Sequence, residues 1–197
     1  MADTALECPA LTMPLDEAMA YAAALEGAGC VLEYGSGGST VLAAEAGAEV
    51  WSVESDAALA QGMRDWFAAH PAKGGVHVLH ADIGPTRDWG HPADESAVRQ
   101  WPDYALKVWE TPGFRHPDVV LVDGRFRLAC FLTVAYRTPR PAPVFFAVSV
   151  PPPPSPGPGA LAAPAEILGR MARFDLTPQT LTPDRLRAYV RALLRPV

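Results

Sequence analysis

The chain has only three cysteines, Cys8, Cys30 and Cys130, an odd number without the close spacing of a metal site. That excludes a disulfide framework and a cysteine-built zinc site, and it fits free thiols in a reducing compartment. Cys30 and Cys130 lie in apolar runs and read as core residues rather than nucleophiles. No apolar run reaches the roughly 20 residues of a membrane-spanning helix. The opening residues Met1-Ala2-Asp3-Thr4 lack the basic stretch and apolar core of a signal peptide. Basic residues are in deficit too: 16 Lys and Arg against 22 Asp and Glu leave a net charge of −6. This argues against binding nucleic acid by phosphate neutralisation, although arginines do cluster near Arg125 and at the C-terminus. There is no internal repeat. These absences point to a cytoplasmic globular protein, and its 197 residues can bury a core without a metal or disulfide staple.

Proline is in excess, with 21 residues, many of them bunched in Pro151-Pro152-Pro153-Pro154-Ser155-Pro156-Gly157-Pro158-Gly159. This stretch cannot be helix or central strand and reads as an exposed linker. Before it, apolar runs and amphipathic stretches alternate. Strands are expected at 30–34, 49–53, 76–79, 118–122 and 143–150, and helices at 14–26, 39–46, 56–70, 104–109 and 126–136. In the helix 56–70, Leu59, Met63, Trp66 and Phe67 share one face. A connection from 83 to 117 is long enough to carry structure or function of its own. After the prolines, 167–180 fits an edge strand, or a short helix followed by a strand. A helix is expected over 184–194, with Leu186, Val190, Leu193 and Leu194 on one face. The pattern is α/β: a doubly wound, mostly parallel sheet flanked by helices, with a proline-rich break after the fifth strand. We divide a single domain into an N-terminal helical segment (1–29), a core (30–150), a linker (151–164) and a C-terminal edge strand and helix (165–197).

The first strand runs into Tyr34-Gly35-Ser36-Gly37-Gly38-Ser39-Thr40. A glycine-rich turn between a strand and a helix is the nucleotide corner of doubly wound folds, because glycines admit a ligand to the backbone and the helix start supplies free N–H groups. A dinucleotide fingerprint requires a small residue where Thr40 stands. Glu33, two residues before the first glycine, would repel a pyrophosphate but attract the ammonium and sulfonium of a methionine-derived ligand. Glu54, nineteen residues after Gly35 at the end of the second strand, has the spacing of a ribose-binding acid. Its alternative role, shared with Ser55, is to cap the helix that follows.

These residues resemble the class I S-adenosylmethionine-dependent methyltransferases, with a Rossmann-like fold implied. The likeness covers about 30–150, with Glu33 to Gly38 similar to the family's first motif and Glu54 to its second. His80-Ala81-Asp82-Ile83 resemble the third, which implies that Asp82 meets the adenine amino group and the N–H of Ile83 a ring nitrogen. The stretch from Asp82 through Trp89-Gly90-His91-Pro92, with Pro102-Asp103-Tyr104 and Val122-Asp123-Gly124-Arg125-Phe126-Arg127, is similar to a narrower group of small bacterial methyltransferase-like proteins. The resemblance implies S-adenosylmethionine as cofactor, S-adenosylhomocysteine as product, and donor contacts from Glu33, Tyr34, Gly35, Ser36, Gly37, Gly38, Ser39, Glu54, Ser55, Asp82, Ile83 and Asp123.

Asp123 ends the fourth strand, at the sheet edge where ligands sit, and is the candidate to orient or deprotonate an acceptor. The competing reading is an ion pair with Arg125 or Arg127. Trp89, His91, Tyr104 and Arg125 are candidates for the acceptor pocket, although anchoring the long connection on the sheet is the favoured reading for its aromatics Trp89, Trp101, Tyr104 and Trp109. In the metal-dependent catechol-type O-methyltransferases, carboxylates at the ends of strands four and five bind magnesium; here strand five, Ala147-Val148-Ser149-Val150, ends without an acid, so the resemblance implies no metal. The expected partner is a small-molecule acceptor, with neither nucleic acid nor membrane, and a homodimer stays open. A donor-binding protein without catalysis is the second reading. A nicotinamide-dependent oxidoreductase is the third, disfavoured by Glu33 and Thr40.

Overall fold

A computed structural model describes residues 7–148, 158 and 161–196. The strands expected from the apolar runs form β1 (Cys30–Tyr34), β2 (Glu49–Glu54), β3 (Val76–His80), β6 (Val119–Val122) and β7 (Ala142–Ala147). Two further strands, β8 (Glu166–Leu168) and β9 (Met171–Leu176), join them in a seven-stranded sheet of order β3-β2-β1-β6-β7-β9-β8. The first five run parallel and β9 is antiparallel to both of its neighbours. The segment 166–176 is therefore a hairpin of two strands, whose turn at Gly169 has a positive φ. A single strand, or a helix and a strand, was the expectation there. The end of the proline tract's preceding strand, and all of the tract except Pro158, lie outside the described residues.

Helices α1 (Leu15–Leu25) and α2 (Gly38–Glu45) cover one face of the sheet with Tyr21, Leu25, Ala43 and Ala44 over Val31, Val50, Val119, Leu121 and Phe145. On the other face α5 (Arg127–Arg137) and α6 (Pro183–Leu193) close over Leu32, Tyr34, Val120, Val122, Val144 and Phe146. Each fully buried side chain of this size contributes roughly 1.5–3 kcal/mol. Pleating sends alternate residues to opposite faces. Val31 and Glu33 therefore face α1 and α2, and Leu32 and Tyr34 face α5.

Two helix faces differ from the sequence pattern. In α3 (Ala57–Ala69) the packed residues are Ala60 and Met63, with Phe67 beside them, while Leu59 remains 43% exposed. In α6 it is Tyr189, Ala192 and Leu193 that pack, Tyr189 through a ring contact with Tyr136 and a 2.8 Å hydroxyl bond with Thr133. Leu186, Val190 and Leu194 face outward, because α6 docks on α5 along this narrower stripe.

The connection 83–117 carries structure. A short ribbon of β4 (Thr86–Arg87) and β5 (His91–Pro92) precedes α4 (Pro102–Leu106) and a 3-10 turn (Lys107–Glu110). Its aromatics divide into two roles. Trp101 donates to the Ile83 carbonyl, Trp109 donates to the Tyr34 hydroxyl, and Tyr104 is fully buried, so these three anchor the segment. Trp89 is 82% exposed and holds a left-handed backbone with φ 62°.

The chain winds outward from β1 to β3 and then crosses to β6, so the order reverses between β1 and β6. There the Tyr34 carbonyl accepts the N–H groups of Asp123 and Gly124, and Gly35 packs against Gly124 backbone to backbone. At Gly35 φ is +101°, and a Cβ would lie 2.8 Å from the Gly124 Cα. Gly35→Ala is expected to lose roughly 2–4 kcal/mol from left-handed strain and forced separation of the two turns. The corresponding drop in melting temperature is roughly 5–10 °C. An unchanged calorimetric melt would show that the turns can part freely.

Candidate functional site

The turn after β1 is built around a buried carboxylate. Glu33 has no exposed surface, and its oxygens accept from the hydroxyls of Ser39, Thr40 and Ser52. Ser52 arrives by register, directly opposite Glu33 on β2, and Ser39 and Thr40 belong to the first turn of α2. Thr40 also accepts the Gly37 N–H at 2.9 Å. The Ser52 hydroxyl in turn shares a 2.6 Å hydrogen bond with the Ser36 hydroxyl, which links Ser36 to the same carboxyl group. One carboxylate thus organises Ser36, Gly37, Ser39 and Thr40 together.

The direct contact expected between Glu33 and a cationic ligand is not what the fold provides. The pleat turns the side chain under the loop, towards α2, and its oxygens are occupied by hydroxyls. Thr40 likewise earns its place as a strut of the turn. Neither Thr40 nor Ser52 stood out in the sequence as a partner of Glu33; the two-residue periodicity of β1 and β2 was the available signal.

Above the turn lies a cavity of about 470 Å³, within the roughly 300–1,000 Å³ range of small-molecule sites. Gly35, Ser36, Gly37, Gly38 and Ser39 form its floor. Glu54, Ser55, Asp56, Leu59, Trp89 and Gly90 line it towards β2 and α3, and Asp123, Gly124, Arg125 and Tyr104 towards β6. The remaining wall is the segment 9–13, which nothing in the sequence marked. It crosses directly over Gly38, where a Cβ would overlap the backbone of Ala10 and Leu11.

Glu54 is 6% exposed, lines the cavity, and accepts hydrogen bonds from the turn and from the residues that lead into α3. Its Oε1 accepts the N–H groups of Ser55 (2.7 Å) and Asp56 (2.8 Å), and its Oε2 the N–H of Ser36 (3.0 Å). The cap of α3 itself is Asp56, which accepts from the Leu59 N–H. The Ser55 hydroxyl donates to the Gly90 carbonyl, tying the 83–117 connection to this corner.

Besides Glu33, four expected contacts lie away from the cavity. Tyr34 is buried on the α5 face, with its hydroxyl donating to the Ala105 carbonyl. Asp82 is exposed and accepts the Gly84 N–H in a local turn. Ile83 is 1% exposed with its carbonyl engaged by Trp101. His91 stands behind the wall, accepting from the Arg125 guanidinium.

Asp123 borders the main cavity and a smaller one of about 60 Å³ that also holds Glu17, Arg127 and Arg170. It is open to solvent on one side. Burial of its inner side pushes the carboxyl up from its ordinary range, against the pull of Arg127, Arg170 and Arg125, and Glu17 adds to the rise. Arg127 is directed to the Ala147 carbonyl at 3.0 Å, and the Glu17 carboxylate takes the Arg170 N–H at 2.7 Å. Among the described residues, no three His, Cys, Asp or Glu side chains converge as a metal site would require, and no helix is long and apolar enough to cross a membrane.

The carboxyl of Glu33 is raised from an ordinary 4.5 to about 7, mainly by burial and against three hydroxyl hydrogen bonds. A raised acid is held protonated by the fold, so its contribution is complete below pH 4.5 and is lost as pH climbs through 7. The amount is on the order of 3 kcal/mol. Glu33→Gln should remove this slope, so that urea denaturation between pH 4.5 and 8 finds wild type losing stability relative to the variant. Parallel pH profiles for the two proteins would mean that Glu33 is ionised throughout.

No family model matches the chain, and no curated protein matches it. Among solved structures, it superposes with a TM-score of 0.88 on the crystal structure of a methyltransferase-like protein from Silicibacter pomeroyi. The two are 45% identical over 96% of this chain and 99% of the other. The fold is shared more distantly with the O-methyltransferase TomG of Streptomyces achromogenes, solved with S-adenosylmethionine (TM-score 0.56, 17% identity, 86% and 82% coverage). It is also shared with the Thermus thermophilus 16S rRNA N2 G1207 methyltransferase, solved with the same donor and guanosine (TM-score 0.53, 18% identity, 86% and 45% coverage). With its sheet order, its glycine turn at the reversal point and this likeness along its whole length, the chain belongs to the class I S-adenosylmethionine-dependent methyltransferase superfamily.

Proposed function

We propose that the protein binds S-adenosylmethionine in the 470 Å³ cavity and transfers its methyl group to a small-molecule acceptor. The observation that carries this reading is one cavity with a glycine turn as its floor, an acid at the β2 end and a second acid at the β6 end. When bound, the donor supplies an electrophilic methyl group on a sulfonium. The residues present fit it. Gly37 has open space where a Cβ would stand, so the backbone can meet a ligand closely. Glu54 accepts three N–H groups, which leaves Oε2 able to take a ribose hydroxyl. Glu33 acts beneath the turn by holding Ser36, Gly37 and Ser39 in place for the ligand. Leu59 and Trp89 present apolar surface at the Glu54 end, suited to the flat face of adenine.

At the other end Asp123 orients the acceptor and takes its proton, and its raised carboxyl makes it a stronger base than a solvated aspartate. Alignment of the acceptor against the methyl group supplies much of the rate enhancement. The net charge of −6 favours a small acceptor over nucleic acid. We extend the proposal to the whole chain acting as one domain.

Calorimetry with S-adenosylmethionine, S-adenosylhomocysteine and NAD tests donor choice, and binding of NAD alone would refute the reading. Glu54→Gln should weaken S-adenosylhomocysteine about 10- to 100-fold, the worth of a hydrogen bond to a charged group. An unchanged affinity would move the ribose elsewhere. Asp123→Asn should retain the product while turnover drops about 100-fold or more. Unaltered turnover would remove Asp123 from the chemistry. Donor binding without turnover on any acceptor of a metabolite panel would favour the non-catalytic alternative.

A further inference from the structure

We infer that the acceptor carries an oxyanion group beside its nucleophile, and that Arg125 receives it. The inference rests on the donor reading above and names the class of molecule that would share the cavity. Its basis is the charge and fixing of Arg125. In a chain with net charge −6, Arg125 lines the Asp123 end of the cavity, Arg127 and Arg170 line the small cavity that adjoins Asp123, and Arg87 acts with Arg125 and Arg127 on His91. The acids there are Asp123, Glu17 and, beneath the turn, Glu33, whose carboxyl is held protonated by burial, and Glu17 accepts the Arg170 backbone N–H. The local field is therefore positive where the acceptor must enter.

Arg125 is fixed at both ends. Its backbone N–H donates to the Tyr104 hydroxyl at 3.2 Å, and the next residue, Phe126, holds a left-handed φ of 50° against the rings of Trp101 and Tyr104. Its Nη1 donates to His91 Nε2, which requires a neutral imidazole protonated at Nδ1. Burial, with help from Arg125, Arg87 and Arg127, holds His91 below its ordinary range. A neutral histidine orients the guanidinium without cancelling its charge. An acidic residue in the same place would have made a closed ion pair.

With Nη1 committed to His91, the edge left for a ligand is the one formed by Nε and Nη2. The Nε–H is buried and has no hydrogen-bond partner among the described residues. That edge matches two oxygens of a carboxylate or phosphate, which a guanidinium binds side-on through paired N–H groups. Bound in this way, the oxyanion would hold the acceptor while its hydroxyl or amine lies towards Asp123.

The test uses protein saturated with S-adenosylhomocysteine, probed by thermal shift with sodium acetate, inorganic phosphate and acetamide against sodium chloride at equal ionic strength. Wild type should gain at least 2 °C from acetate or from phosphate and nothing from acetamide. The anion that gives the larger gain identifies the headgroup. Arg125→Gln should lose the gain, and Arg125→Lys, which keeps the charge but not the fork, should retain less than half of it. No gain in wild type, or an equal gain in Arg125→Gln, would overturn the inference while leaving the donor reading intact. The comparison of acetate with acetamide on wild type needs no variant to fold. Failure to bind S-adenosylhomocysteine would instead remove the donor reading, and this inference with it.

Discussion

The buried carboxylate of Glu33 is the constraint on which the rest of the site depends. Isolated in an apolar interior, a carboxylate would be strongly unfavourable, and a loop of glycines and serines by itself would have many conformations. The two problems resolve each other. The carboxylate gathers the hydroxyls of Ser39, Thr40 and Ser52, and through Ser52 it reaches Ser36. Gly35, Gly37 and Gly38 can then go without side chains while the turn stays fixed. Glu54 closes the same turn from the other side by taking the Ser36 N–H. The floor of the cavity is thus held between two acids on adjacent strands, one buried beneath it and one at its edge.

This arrangement explains what could and could not be read in advance. The strands were legible because five short apolar runs were separated by glycines and amphipathic stretches. The corner was legible because Gly35, Gly37 and Gly38 follow directly on β1. The direction of Glu33 was not. In a strand buried on both faces, Val31 and Leu32 are equally apolar, so hydrophobicity carries no record of which residues face α1 and which face α5. Charge alone then suggested a ligand contact, where pleating places a loop strut.

Contacts between segments far apart in sequence were illegible for a different reason. The passage of 9–13 over Gly38 leaves no periodic trace, and a glycine chosen for a crossing backbone looks the same as one chosen for a ligand. In the 83–117 connection, composition showed several aromatics but not their division. Trp101, Tyr104 and Trp109 have polar atoms satisfied inside the fold, whereas Trp89 sits on a strained, exposed turn. Only the folded chain separates anchor from rim. The hairpin 166–176 was hidden too, because only Gly169 and Arg170 separate the short edge strand β8 from β9.

The two ends of the cavity also differ in how freely they can admit a second molecule. At the Glu54 end the carboxylate is hydrogen-bonded to three backbone groups and Ser55 is tied to Gly90, so that wall is fixed before any ligand arrives. At the Asp123 end the carboxyl is open on one side, a second small cavity adjoins it, and the segment 9–13 forms part of both walls. An in-line displacement needs its nucleophile opposite the departing sulfur. A donor with its nucleoside at the fixed end would direct its methyl group towards the end with open space, Asp123 and Arg125. That polarity follows from where the chain spends its hydrogen bonds: the fixed corner has them satisfied internally, whereas at the other end the Arg125 Nε–H has no partner among the described residues.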